Sequence, residues 1–129
     1  MKIQTSHFGE LEYGEDRIIR FAKGILGFEE LKEYLLLKSD DELFYWLTSI
    51  DKPDIVFPLI AIRLIDSEYI EKPDSEAFGI VKLDPDPSNI TVNLKAPVYI
   101  NQESKEGVQT ILDEEKYPIS YNLFTKEAD

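Results

Sequence analysis

Carboxylates are the most numerous chemically active groups in this chain: 26 Asp and Glu, against 14 Lys and Arg and one histidine. A pair of them at the right separation can hydrolyse a glycosidic bond. Closely spaced Asp, Asn and Ser oxygens can hold calcium. Asp84-x-Asp86-x-Ser88 opens like such a calcium loop. It does not continue as one: Asn89 stands where the glycine belongs, Lys95 where the bidentate glutamate belongs, and Pro85 and Pro87 interrupt it. No carboxylate pair stands out by spacing, and adjacent acids in so acidic a chain form a solvated face. His7 is isolated near the N-terminus. The absence of cysteine rules out disulfides and thiolate zinc sites. No Gly-rich phosphate loop, GxSxG or HExxH is present. These residues predict no enzyme, no metal and no cofactor.

The charge balance narrows the partners instead. A formal net charge of -12 opposes direct binding to phosphate backbones, so nucleic acid is excluded as a direct ligand. The same charge suits a partner with a basic surface, which could itself bind nucleic acid, although solubility alone would also explain it. The chain has 129 residues, 43% of them hydrophobic, enough for one domain over 1–129 with its own core. The first residues lack the apolar core of a signal peptide, so Asn89-Ile90-Thr91 reads as turn and strand rather than a glycosylation site. The longest apolar run, Ile55 to Ile62, contains Pro58 and is too short to span a bilayer. A soluble, cytoplasmic protein that does not enter membranes is expected, with a monomer as the default.

The elements that would position any site are short and mostly extended. Gly9 to Tyr13 alternates, with Leu11 and Tyr13 on one face and Glu10 and Glu12 on the other, as in a half-buried strand. Gly14-Glu15-Asp16 turns the chain, and Arg17 to Phe21 reads as the next strand. Gly24 and Gly27 sit where a left-handed backbone would be easy. Phe28, Leu31 and Leu35 have helical spacing, and Glu29-Glu30 suits a first helical turn, which predicts one helix of about two turns. Leu35-Leu36-Leu37 is already extended. Ser39 to Glu42 is a polar loop, and Asp66 to Ser75 an irregular connection. Further strands are predicted over Leu43–Ile50, Ile55–Leu64, Phe78–Leu83, Ile90–Leu94, Val98–Ile100 and Val108–Leu112. Asp51-Lys52-Pro53-Asp54 and Asp84 to Asn89 join them as turns, and Pro97 interrupts the pair around it. Many short strands with one short helix predict a mainly β fold: a small antiparallel barrel, or two packed antiparallel sheets.

Two strands carry apolar residues on both faces. In Leu43 to Ile50, Leu43, Tyr45 and Leu47 share one face and Phe44, Trp46 and Ile50 the other. Ile55 to Ile62 behaves likewise. Either both faces are covered or one is an exposed patch for a partner. Pro58 favours an edge or a bulge, where a partner's strand could add.

Two stretches carry a likeness to a known family. Phe21-Ala22-Lys23-Gly24-Ile25-Leu26-Gly27-Phe28-Glu29 resembles the F-x-K-G-I-P-G-F-E signature of the flagellar assembly factor FliW family. Thr91-Val92-Asn93-Leu94-Lys95-Ala96-Pro97-Val98-Tyr99-Ile100-Asn101 is similar to its T-x-N-L-x-A-P-I-x-I-N. Phe8-Gly9-Glu10-Leu11, Trp46-Leu47-Thr48-Ser49 and Gly107 to Leu112 followed by Tyr117 resemble further family elements, in order, over nearly the whole chain. Leu26 stands where the signature has proline, and the stretch from Asp66 to Phe78 is shorter than is common. The resemblance implies a small β-rich fold without enzyme activity and two protein partners, flagellin and the RNA-binding translational repressor CsrA. It implies partner switching: the free protein sequesters CsrA, and accumulated flagellin displaces it. A chaperone that protects flagellin without a translational role is the alternative.

For the surface that meets these partners, apolar anchors ringed by acid are expected, because buried aromatics dominate interface energy and charges set rate and selectivity. Trp46 and Phe57 are the candidate anchors. Asp51 and Asp54 flank the turn between their strands, and Glu10 and Glu12 line the outward face of an early strand. Core packing for the aromatics and simple solvation for the acids are the competing readings.

Overall fold

The computed structural model describes residues 1–5, 8–38, 43–66, 69, 74–112 and 117–123. Ten strands form: β1 (Lys2–Thr5), β2 (Gly9–Glu12), β3 (Ile18–Phe21), β4 (Glu33–Lys38), β5 (Phe44–Ser49), β6 (Val56–Ala61), β7 (Glu76–Lys82), β8 (Thr91–Asn101), β9 (Glu106–Gln109) and β10 (Tyr121–Asn122). β3 to β9 close into a seven-stranded barrel in the order β3-β4-β5-β6-β7-β8-β9, with β9 returning to β3. β1 and β2 make a separate hairpin. β10 pairs with the start of β8. The mainly β fold is as expected, and the barrel is the architecture adopted.

Six of the seven ring contacts are antiparallel. The seventh, β3 with β9, is parallel: Arg20 lies opposite Glu106 and Phe21 opposite Gly107. A ring with an odd number of strands cannot alternate direction all the way round, so one parallel seam is unavoidable. Gly107 makes this seam close. A Cβ there would lie 2.3 Å from the end of the Phe21 ring, which is fully buried.

Period-two alternation sends one face of each strand into the barrel. Ile19, Phe21, Tyr34, Leu47, Leu59, Phe78, Val98 and Ile100 meet there. Aromatic edges interlock: Phe21 with Tyr34 at 5.3 Å between centroids, and Tyr45 with Phe78 at 5.2 Å. A second core lies on the outer wall of β6, β7 and β8. There Ile60, Ala77, Val81, Val92 and Tyr99 are covered by Ile62, Tyr69 and Tyr117, with Leu112 and Leu123 against them. Tyr69 stacks obliquely on Tyr117 and donates its hydroxyl to the Leu94 carbonyl.

The N-terminal hairpin is amphipathic. Ile3, Thr5 and Leu11 are at least half-buried, whereas Lys2, Gln4, Glu10 and Glu12 are exposed. The outward residues Ile18, Leu35 and Thr48 are buried despite facing away from the barrel interior. Leu11 and Tyr13 share a crevice with Leu35 and Leu37, and the Phe8 ring meets Trp46 edge-on at 6.2 Å. External covers therefore explain the two-sided apolarity of β5 and β6, and no open edge strand is needed. Pro58 lies within the ladder, opposite Trp46, rather than at an edge.

Several local expectations give way. No α-helix forms over Phe28 to Leu35. Residues 25–28 and 28–31 form two consecutive turns, closed by Phe28 N–H to Ile25 O (2.7 Å) and Leu31 N–H to Phe28 O (3.0 Å), and β4 starts at Glu33. Among the described residues the helical elements are three-residue 3₁₀ turns at Glu15–Arg17, Ile62–Leu64 and Pro87–Asn89. The second of these ends the strand expected to run to Leu64. β8 does not stop at Pro97. It runs through a bulge, in which residues 94–97 face the single residue Gly79. The Asn93 side chain accepts from both Lys95 N–H and Ala96 N–H at 3.0 Å, and proline has no N–H to satisfy. The strand expected over Val108–Leu112 is β9, ending at Gln109. Thr110 and Leu112 then bond irregularly to Pro97 and Lys95 carbonyls along the bulge. The loop at 39–42, His7 and most of the 66–75 connection lie outside the described residues.

Among the described residues, no helix is long and apolar enough to cross a membrane.

Candidate functional site

One mouth of the barrel gathers the chain's two most distinctive stretches. β3 ends and β4 begins there, β5 ends and β6 begins, β7 ends and β8 begins, and β9 ends. The loop from Ala22 to Lys32 and the turn from Ile50 to Ile55 therefore stand on the same rim as the start of β8.

The first loop is folded tightly. Gly24 has φ +68, donates its N–H to Phe21 O at 3.0 Å, and presses against Glu29, whose Cα would be 2.6 Å from an added Cβ. Ile25 points into the barrel and is buried, whereas Leu26 is exposed. Gly27, at φ +87, follows Leu26 in the turn closed by Phe28. That pattern is a type II turn, with Leu26 at its first central position. Phe28 lies edge-on to Phe57, 5.2 Å between centroids, and Phe57 in turn tilts against Tyr34 at 6.2 Å.

A cleft of about 340 Å³ opens at this mouth, lined among others by Leu26, Phe57, Ile80, Asn93, Gln109 and Ile119. Leu26 is 53% and Ile119 63% exposed, so two large apolar side chains reach solvent beside a half-buried aromatic. Glu29, Glu30, Asp51 and Asp54 are exposed on the adjoining loops. Their field reaches inward. Burial first, then the Glu30 and Asp51 carboxylates, push the hydroxyl of the enclosed Tyr34 up to about 12. Lys23, Lys52 and Lys82 are interspersed, so the rim is acidic without being of one sign.

The six residues singled out from sequence fall into two groups. Asp51, Asp54 and Phe57 share this mouth. Phe57 packs against the barrel core with its ring on Phe28, and its exposed margin lines the cleft. Trp46, Glu10 and Glu12 belong to the hairpin side. Trp46 is half-buried on the outer wall beneath Phe8, and Glu10 is paired with Lys2 at 3.6 Å in solvent. Leu26, Asn93, Gln109 and Ile119 complete the mouth and were not singled out for it. Gln109 lies in the Gly107 to Leu112 stretch that resembles a family element, but nothing local marks its amide, and Ile119 follows a stretch with no predicted strand.

Among the described residues at the mouth, none are arranged as an acid–base pair or a nucleophile with its base. The carboxylates of the failed calcium loop are engaged locally. Asp84 accepts from Asp86 N–H at 2.9 Å. Asp86 caps the 3₁₀ turn by accepting from the Ser88 N–H at 3.0 Å and hydroxyl at 2.8 Å, which lowers its pKa.

These features define a class: a small closed β-barrel with two external covers and an apolar cleft at one mouth. The sequence profile of the FliW protein family matches residues 2–123, and the chain belongs to that family. Flagellar assembly factor FliW of Caldicellulosiruptor bescii is 38% identical, over 95% of this chain and 90% of that protein. The protein of the same name from Bdellovibrio bacteriovorus is 36% identical over 98% of this chain and 81% of its own length. That from one Clostridium botulinum strain is 35% identical over 99% of this chain and its full length. A crystal structure of the flagellar assembly factor FliW superposes with a TM-score of 0.88 at 30% identity, covering 99% of this chain and all of the other.

Proposed function

We propose that this protein is a cytoplasmic flagellar assembly factor that binds flagellin and antagonises a CsrA-type translational repressor by partner switching. It acts as a single FliW-like domain over residues 1–129, as a monomer, without enzyme activity or cofactor. Neither nucleic acid nor membrane is bound directly. The observation that carries the reading is the convergence at one barrel mouth. The two stretches that mark the family, Phe21–Glu29 and the first half of Thr91–Asn101, meet there around exposed Leu26 and Ile119. Apolar surface of this kind, beside acidic loops, suits a protein partner with basic flanks. The net charge of -12 adds a second effect: docked on an RNA-binding protein, the chain repels RNA phosphates nearby even without covering their site.

Partner switching is two linked binding equilibria, and linkage makes the antagonism reciprocal. Titration calorimetry with purified flagellin and the CsrA-type regulator of the same organism tests it. Each is expected to bind alone, and saturating flagellin is expected to weaken binding of the regulator. Binding of flagellin without any of the regulator would replace this reading with a flagellin-protecting chaperone. Binding of neither would remove it.

A further inference from the structure

We infer that Gln109 is the positioning residue of the mouth, a two-armed clamp that holds the Leu26 loop and the β8 bulge in the arrangement a partner meets. Its Oε1 accepts from Leu26 N–H at 2.9 Å, and its Nε2 donates to Ala96 O at 3.1 Å. One orientation of the amide satisfies both contacts, since Oε1 has to face a donor and Nε2 an acceptor. The two anchors lie in the two separate stretches that build the cleft. Gln109 thus ties each of them with one arm of a single amide.

The need for the clamp follows from the turn. Position 26 is the first central residue of a type II turn, where the N–H takes no part in closing the turn and where proline is favoured because it presets φ. Leucine does not preset φ, and its N–H is left over. Gln109 takes up that N–H and restores by an external bond the restraint a ring would impose. At the other end it grips a bulge whose Lys95 and Ala96 N–H groups are already held by Asn93, so the clamp runs from the Leu26 turn to a fixed point.

The inference rests on the proposed partner binding for its functional part, and its test separates the two. Gln109→Glu keeps the acceptor arm alone at neutral pH, Gln109→Lys keeps a donor alone, and Gln109→Met keeps the length and neither arm. Hydrogen exchange of the Leu26 amide, followed by NMR in the free protein, needs no partner. It is expected to quicken about tenfold in the Lys and Met variants and to change little in the Glu variant. Affinity for flagellin or the CsrA-type regulator, whichever the parent protein binds at this mouth, is expected to fall about five- to tenfold in all three. Glu and Lys change the charge in opposite directions, so a loss shared by both cannot be an electrostatic effect on a charged partner. Leu26→Pro removes the N–H while presetting the turn. In that background Gln109→Lys is expected to cost no further affinity. Unchanged Leu26 exchange in the Lys and Met variants would overturn the clamp. Quickened exchange with parental affinity would overturn its role in recognition. Failure of the parent to bind either protein would overturn the functional reading, and the exchange data would still decide whether Gln109 fixes the loop.

Discussion

Replacing Gly24 by alanine is expected to cost several times what the same change costs at Gly27, although both glycines have positive φ and lie in one loop. At Gly27, φ +87, an added Cβ meets nothing within 4 Å. The penalty there is conformational only, about 1–2 kcal/mol for an L-residue in the left-handed region. Loss of unfolded-state freedom returns about 0.4–1 kcal/mol of that. A net loss of about 1 kcal/mol remains. At Gly24, φ +68, the same conformational penalty applies, and the Cβ would also stand 2.6 Å from Glu29 Cα and 2.7 Å from Glu29 O. Those are backbone atoms and cannot rotate away. The chain around them is pinned by the Gly24–Phe21 and Phe28–Ile25 bonds. Forced repacking of this kind adds about 1–3 kcal/mol, so Gly24→Ala should lose about 2–4 kcal/mol. For a chain of this length, about 2.1 cal/mol/K of unfolding entropy per residue makes 1 kcal/mol worth about 4 °C. Calorimetric melts should therefore show a drop of about 4 °C for Gly27→Ala and about 8–15 °C for Gly24→Ala. Equal drops, or a larger one at Gly27, would refute the close approach of Gly24 to Glu29.

Gly107→Ala drives a methyl into the Phe21 ring at the parallel seam and is expected to destabilise by about 3 kcal/mol, read from a urea melt with unchanged m-value. Tyr34 stays neutral to higher pH in the folded chain than in the unfolded one, near 12 against 10.0. Its stabilising preference for the protonated form is complete below pH 10 and is lost as pH rises from 10 to 12. Over that window stability should fall by up to about 2–3 kcal/mol, and Tyr34→Phe should abolish this part of the decline. Combined Asp51→Lys and Asp54→Lys is expected to weaken binding of the CsrA-type regulator about five- to tenfold at low salt, with a parental melt; an effect that does not shrink in high salt would count against a charged rim. Phe8→Ala should red-shift the emission of Trp46, the sole tryptophan, and cost about 1–2 kcal/mol; an unmoved spectrum would mean that Phe8 does not shield it.

Much of the mainly β fold was legible because its strands obey simple alternation. In the hairpin, Leu11 and Tyr13 against Glu10 and Glu12 name their faces without any tertiary information. The positive φ of Gly24 and Gly27 was legible for the same local reason. Misreadings arose where distant contacts decide. Phe28, Leu31 and Leu35 mimic a helical stripe, yet the first two belong to consecutive turns and the third to the outer face of β4, covered by the hairpin. Pro97 looked like a break because the side chain that relieves the bulge, Asn93, acts four residues earlier. β1 is only four residues long, and its partner β2 and the wall beneath both are needed to hold it. The mouth was half legible: Asp51, Asp54 and Phe57 share it, whereas Gln109 acts through an amide whose two partners lie far away in sequence.

The parallel seam also governs when this protein can exist. Beyond their pairing with β4, Arg20 and Phe21 find the partners of their second edge at Glu106 and Gly107, much later in the chain. During synthesis from the N-terminus, β3 to β8 can pair with sequential neighbours, but the ring stays open until β9 has left the ribosome. The Leu26 loop waits equally long for Gln109. A nascent chain thus exposes the edge of β3 and an unrestrained mouth through most of translation, and both are sealed late by the same short strand. Slow, single-step closure that depends on residues beyond 105 is the expected kinetic signature, and chains truncated before β9 should remain open and prone to strand-to-strand association.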